Sequence, residues 1–102
     1  MIDRIEREVD LLARHVDVLQ RVIAAEPIGI TALSAELGYP EHKVRYSLRK
    51  LERNDLVEPT KSGAVTTDRA ESNLAELDRH FSALVSRLDR QREAFGRVRS
   101  EA

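Results

Sequence analysis

Residues 31–51 constrain the fold more than any other part of the chain, because two helix-forming patterns flank an abrupt break there. The threonine that opens this segment is suited to cap a first helix over residues 32–37. Gly38 is suited to end that helix in the left-handed conformation. Pro40 suits the first turn of a second helix, over about residues 40–53, where its missing N–H costs nothing. The pattern predicts two short helices joined by a tight turn.

The second of these helices has one apolar side and one cationic side. Val44, Leu48 and Leu51 recur at helical spacing and predict the buried side, with Ser47 beside them. Between residues 39 and 53 the chain has five Lys or Arg residues against two Glu residues. The candidate DNA-binding residues of the helix are its cationic side chains with one tyrosine and one histidine: His42, Lys43, Arg45, Tyr46, Arg49, Lys50 and Arg53.

These residue types are suited to double-stranded DNA when they lie on a helix narrow enough to enter the major groove. Arg45 and Arg49 can donate two hydrogen bonds to guanine O6 and N7, or bind phosphates. Lys43, Lys50 and Arg53 are better suited to phosphates, which position a protein without reading sequence. A solvated cationic face with no ligand is the simpler alternative.

A β-hairpin is predicted directly after the second helix. Residues 56–58 and 64–66 have strand composition, residues 61–63 form a turn signal, and Pro59 marks an edge or bend. Ile28 and Ile30 are compatible with a very short additional strand. Lys61 is the only basic residue between positions 54 and 68. A hairpin in this position would lie beside the second helix, which makes Lys61 a further candidate DNA contact.

The first helix is predicted over residues 2–25, ended by Pro27 and Gly29. Its apolar residues alternate between steps of three and four, which is heptad spacing. The stripe comprises Ile2, Ile5, Val9, Leu12, Val16, Leu19 and Ile23, and it is widened by Leu11, Val18 and Val22.

A long final helix is predicted over residues 68–95, capped by Thr67 or Asp68. Its heptad stripe is interrupted at Gln91, and the charged tail after Gly96 is expected to fray. Because such a stripe would be exposed in a monomer, we expect a homodimer, with an intrachain hairpin of the two long helices as the alternative. The predicted interface comprises Ile2, Ile5, Val9, Leu12, Leu74, Leu77, Phe81, Leu84 and Leu88.

Composition excludes several classes of protein. The chain has 102 residues and a formal net charge of −1, so any DNA affinity depends on how charge is distributed. It has no Cys, which excludes disulfides and thiolate metal sites. His15, His42 and His80 are isolated, and no catalytic triad or phosphate-binding glycine loop is present. We therefore expect neither an enzyme nor a metal site or cofactor. With no signal-peptide pattern or long apolar run, we expect a cytoplasmic protein.

Residues 28–67 resemble the winged helix-turn-helix transcriptional regulators, a group that includes the ArsR, MarR and PadR types. The resemblance depends on residues 33–38, 44–52 and 56–57, with the spacing from Gly38 to Val44, Leu48 and Leu51. Asp55 stands where a glycine is common, and Asp tolerates the left-handed conformation. The resemblance implies one mainly α domain over residues 1–102: a winged helix-turn-helix core at 28–67 with a two- to three-stranded wing, flanked by dimerisation helices at 1–25 and 68–95.

The function implied is sequence-specific DNA binding by a homodimeric regulator. The predicted partners are thus double-stranded DNA and a second copy of the chain, and the sequence does not identify a small-molecule effector. A protein-interaction module of a larger assembly is the main alternative, because the same cationic face could bind an acidic protein. A non-specific architectural DNA-binding protein is the third.

Overall fold

The computed structural model describes all 102 residues and is mainly helical, with four helices and a two-stranded antiparallel sheet. In chain order the elements are α1 (Ile2–Ala25), α2 (Ile30–Leu37), α3 (Glu41–Arg53), β1 (Val57–Thr60), β2 (Gly63–Thr66) and α4 (Ala70–Glu101). The chain divides into two compact units, Met1–Glu71 and Ser72–Ala102. The first unit contains α1–α3, the sheet and the first two residues of α4, and the second is formed by the rest of α4.

The core of the first unit lies where α1, α2, α3 and the start of β1 meet. Its fully buried apolar side chains include Val18 and Val22 from α1, Leu33 from α2 and Val44 from α3. Burying a side chain of this size contributes about 1.5–3 kcal/mol. The predicted buried side of the second helix is confirmed, since Val44, Ser47, Leu48 and Leu51 are all buried.

The helix boundaries correct one predicted cap. Helix α2 begins at Ile30, with Gly29 at the N-cap and no side-chain cap, so the assignment of Thr31 as the cap is wrong. The Thr31 hydroxyl instead donates to Glu41 Oε1 over 3.3 Å. Gly38 ends α2 in the left-handed conformation as predicted, with a φ of 79°.

The turn between α2 and α3 is anchored at Tyr39. The Ser34 hydroxyl donates to the Tyr39 carbonyl oxygen over 2.5 Å, and the Tyr39 hydroxyl donates to Asp17 Oδ2 over 2.6 Å. The hydrogen bond to Asp17 raises the pKa of the Tyr39 phenol, because it stabilises the protonated form. This turn therefore connects α3 to α1 as well as to α2.

The predicted hairpin is present, with Thr60 paired to Gly63 and a two-residue turn at Lys61 and Ser62. Instead of a third strand, there is an isolated antiparallel bridge between Ile28 and Ala64, and Ile30 belongs to α2. Two backbone hydrogen bonds form this bridge, from Ile28 N to Ala64 O over 3.2 Å and from Ala64 N to Ile28 O over 2.8 Å. The bridge fixes the hairpin beside the start of α2.

The segments on either side of the hairpin are connected through Asp55. Its φ is 55°, so the left-handed residue expected near this position is present. The Thr67 hydroxyl donates to the Asp55 carbonyl oxygen over 2.7 Å, and Arg69 donates two hydrogen bonds to the Asp55 carboxylate. The Thr67 hydroxyl therefore bonds to Asp55 instead of capping α4. The helix begins at Ala70 rather than at residue 68.

Helix α4 is longer than predicted. It continues through Gly96 to Glu101, so the expected fraying after Gly96 is wrong. Within the second unit its apolar stripe is exposed, from 38% at Leu77 to 64% at Phe95. No helix of the chain has both the length and the apolar composition that spanning a membrane requires.

Candidate functional site

The cationic face predicted for α3 lies at the surface of the first unit. Helix α3 presents its apolar side to the core, and this orientation directs the charged side chains outward. Tyr46 is 42% exposed and Lys50 is half-buried. The other predicted residues of the helix are exposed: His42, Lys43, Arg45, Arg49 and Arg53.

Two of these side chains line a groove together with the hairpin turn. The groove has a volume of about 500 Å³, and Arg45, Arg49 and Lys61 all contribute to its surface. Leu48, Ala64 and residues 28–30 also line it. The bridge between Ile28 and Ala64 thus holds the hairpin at the position where Lys61 shares one concavity with the α3 arginines.

The groove has a net positive charge. Three cationic side chains line it, and Glu52 is the only acidic residue that does so. Guanidinium groups bind phosphate or carboxylate oxygens through two parallel hydrogen bonds, and a lysine adds a compact charge. This arrangement is chemically suited to an anionic ligand.

Tyr46 and Lys50 lie on the other side of α3, beside α1. The Lys50 ammonium is 5.5 Å and the Arg14 guanidinium is 5.8 Å from the centre of the Tyr46 ring. These separations fall within the range of cation–π attraction. The His15 ring is 5.9 Å from the Tyr46 ring, with 30° between the two planes. The predicted residues therefore separate into a hairpin-side group and an α1-side group.

The α1-side group is organised by Ser47, which is fully buried. Arg14 Nε donates to the Ser47 hydroxyl oxygen over 3.0 Å, and His15 Nδ1 is 2.8 Å from the same oxygen. In a neutral His15 ring with its proton on Nε2, Nδ1 accepts the Ser47 hydroxyl proton. The Ser47 hydroxyl then accepts one hydrogen bond, from Arg14, and donates one, to His15.

Sequence reasoning did not identify Arg14 and His15 as part of this surface. In the sequence His15 is only an isolated histidine, since nothing local shows that a serine on another helix lies opposite. Ser47, noted only as a neighbour of the apolar positions, is the residue that brings them to α3.

The environment of His15 disfavours its charged form. Partial burial lowers the pKa of His15, and the positive charges of Arg14 and Lys50 lower it further. The neutral ring is therefore the form that the folded state favours at neutral pH.

We expect the free energy of unfolding to fall as the pH is lowered from 7 towards 5, partly because of His15. Its folded-state pKa lies below the unfolded value of about 6.5, so its contribution is complete above that value and is lost as the pH falls through the folded-state pKa. Urea denaturation monitored by circular dichroism at several pH values measures this dependence.

The matched variant is His15→Asn, which keeps a hydrogen-bonding group near the position of Nδ1 but does not titrate. Its free energy of unfolding should change less than that of the wild type over the same pH range. Identical pH profiles for the two proteins would contradict the assignment of His15.

The apolar residues predicted for a dimer interface are at the surface of their own units. Ile2, Ile5, Val9 and Leu12 on α1 are 40–55% exposed. On α4, Leu74 is half-buried, and the exposed predicted residues are Leu77, Phe81, Leu84 and Leu88. Exposed apolar rows of this length are typical of surfaces that pack against another chain.

The side chains described do not form a metal centre, since no three His, Asp or Glu residues converge on one point. No protein-family model matches the chain, and no curated protein has significant sequence similarity to it.

Proposed function

We propose that the first unit is a winged helix-turn-helix that binds double-stranded DNA, and that the chain acts as a homodimeric transcriptional regulator. In this proposal α2 and α3 form the helix-turn-helix, and the hairpin of β1 and β2 is the wing. Helix α3 enters the major groove, the usual role of the second helix of such a motif.

The observation that carries the proposal is the shared groove of Arg45, Arg49 and Lys61. The chain as a whole is close to neutral, so a general affinity for polyanions is not expected from its net charge. The positive charge is instead concentrated on the exposed side of α3 and on the hairpin turn beside it. A DNA duplex presents both a groove for the helix and phosphates that flank it.

The two groups of side chains on α3 have different roles in this proposal. Arg45 and Arg49 are exposed and suited to reading base edges or binding phosphates. Lys50 is half-buried beside Tyr46, so it contributes mainly charge towards the DNA backbone. His42, Lys43 and Arg53 are exposed along the same helix and supplement the phosphate contacts.

Dimer formation is part of the proposal because a single short helix reads few base pairs. Symmetric regulators place two such helices about one turn of DNA apart. The exposed apolar rows of α1 and α4 supply the surface for a second copy.

Fluorescence anisotropy of the purified protein tests the proposal. One labelled duplex comes from the region upstream of the protein's own gene, and the control duplex has the same composition in scrambled order. Both are titrated over a series of salt concentrations, because each phosphate contact adds about 0.9 to the slope of log K against log salt.

We expect tighter binding to the upstream duplex, with a steep salt dependence on both. Equal affinity for the two duplexes would favour an architectural DNA-binding role. If neither duplex bound at low salt, the next experiment would be to select binding duplexes from a pool of random sequences. If that selection recovered no binding duplex, DNA would be excluded as the ligand. The alternative, an acidic protein partner, would then be favoured.

A further inference from the structure

The heptad stripe of α4 extends over four a and four d positions, because the helix does not end near Gly96. With Leu74 at heptad position a, the a and d positions extend as far as Val98. The complete stripe comprises Leu74, Leu77, Phe81, Leu84, Leu88, Gln91, Phe95 and Val98. All seven of its apolar members are at least partly exposed within the chain.

The a positions do not favour a parallel pair of helices. Parallel two-stranded coiled coils favour β-branched residues at a. In α4 the a positions hold Leu74, Phe81, Leu88 and Phe95, none of which is β-branched.

The charges beside the stripe also disfavour parallel pairing. In a parallel pair each g residue faces the e residue five positions later in the other chain. Arg87 would then face Arg92 of the second copy, twice per dimer by symmetry, and His80 would face Val85. No pair of opposite charges would form in compensation.

An antiparallel pair gives a better combination of contacts. When Leu74 lies opposite Val98 of the second copy, the same register places Leu77 opposite Phe95 and Leu84 opposite Leu88. All eight stripe positions then face a stripe position. The e residues Asp78 and Arg92 lie across from each other twice per dimer. One Arg87–Arg87 pair near the two-fold axis is the only pair of like charges.

We propose that α4 pairs with α4 of a second copy of this chain in antiparallel orientation, with Leu77 opposite Phe95. The two-fold axis then crosses the pair at the level of residue 86 along the helix. This inference rests on the homodimer of the proposed function and specifies its geometry. Gln91 then lies opposite Phe81 of the second copy. Its side chain is long enough to keep the amide at the solvent-accessible edge of a two-helix interface.

Cysteine crosslinking tests this orientation cleanly, since the chain has no Cys of its own. Three single variants are treated with a short bifunctional thiol reagent in the absence of DNA: Val85→Cys, Leu77→Cys and Ser86→Cys. In the antiparallel pair the two copies of residue 85 face each other beside the axis. The two copies of residue 77 are about 27 Å apart, at a rise of 1.5 Å per residue. Residue 86 points away from the partner helix in either orientation and reports random collisions.

We expect Val85→Cys to form covalent dimers well above the level of Ser86→Cys, and Leu77→Cys to remain at that level. A mixture of Leu77→Cys with Phe95→Cys should form crosslinked heterodimers, which confirms the register. Efficient crosslinking of Leu77→Cys alone would overturn the proposal in favour of a parallel pair.

Sedimentation of the wild-type chain without DNA separates the remaining outcomes. A dimer in which neither residue 85 nor the 77–95 mixture crosslinks would place the interface elsewhere. That result would overturn this inference and leave the homodimer of the proposed function intact. A monomer at all accessible concentrations would overturn both the inference and the homodimer. DNA binding is tested independently by the anisotropy titration.

Discussion

Replacing Gly63 with alanine should destabilise the first unit by about 3 kcal/mol or more. Gly63 has a φ of 131°, a conformation that L-residues with side chains rarely adopt. An added Cβ would lie 2.5 Å from the carbonyl carbon of Ile28 and 2.8 Å from its nitrogen and oxygen. Backbone strain of this kind costs about 1–3 kcal/mol, and separating the strands would also weaken the bridge between Ile28 and Ala64.

Thermal unfolding monitored by circular dichroism measures the effect. For a domain of this size each kcal/mol lowers Tm by about 4–8 °C, so the expected decrease exceeds about 10 °C. Gly29→Ala and Gly96→Ala are the matched controls, because neither added Cβ would have an atom within 4 Å and neither glycine has a positive φ. Gly96→Ala should be neutral or slightly stabilising, since alanine favours a helix interior by about 1 kcal/mol. A Tm for Gly63→Ala within a few degrees of the wild type would contradict the close approach of the two backbones.

Replacing Arg49 with alanine should weaken binding to a preferred duplex by about 10-fold to 100-fold and reduce the preference among sequences. The side chain is exposed on α3 and lines the groove beside the hairpin. Under the proposed function its guanidinium contacts a base edge. A two-hydrogen-bond contact of this kind contributes about 1–3 kcal/mol of discrimination. Anisotropy titrations on the preferred and scrambled duplexes give both quantities.

The comparison variant is Lys50→Ala, on the α1 side of the same helix. It should weaken binding to both duplexes by a similar factor and reduce the salt slope by about one, as expected for a phosphate contact. Circular dichroism verifies that both variants remain folded. If Arg49→Ala and Lys50→Ala had the same effect on every duplex, the proposed division between base and phosphate contacts would be wrong.

Local patterns were sufficient to predict most of the secondary structure. The heptad spacing before Pro27 predicted α1 with both boundaries correct, and Gly38 correctly marked the end of α2. The error at Gly96 has a physical explanation. A single glycine costs a helix only about 1 kcal/mol, so a long helix can continue through it.

The error at Thr31 has a different cause. A threonine before an apolar pattern is a good cap, but the bridge of Ile28 to Ala64 fixes the chain so that the helix begins two residues earlier, at Ile30. A contact between residues far apart in sequence thus overrode a local preference, and the freed hydroxyl bonds to Glu41.

The amino-acid sequence by itself determined the helices, the hairpin, the buried side of α3 and the residues of its cationic face. These depend on periodicity and turn chemistry, which act over a few neighbouring residues. Only the tertiary structure decided how the cationic residues are grouped. Arg49 and Lys61 share a groove because a backbone bridge holds the hairpin in place, and Arg14 and His15 join α3 because Ser47 is buried opposite them. Such groupings depend on which surfaces pack together, and the spacing of residues along one helix does not contain that information.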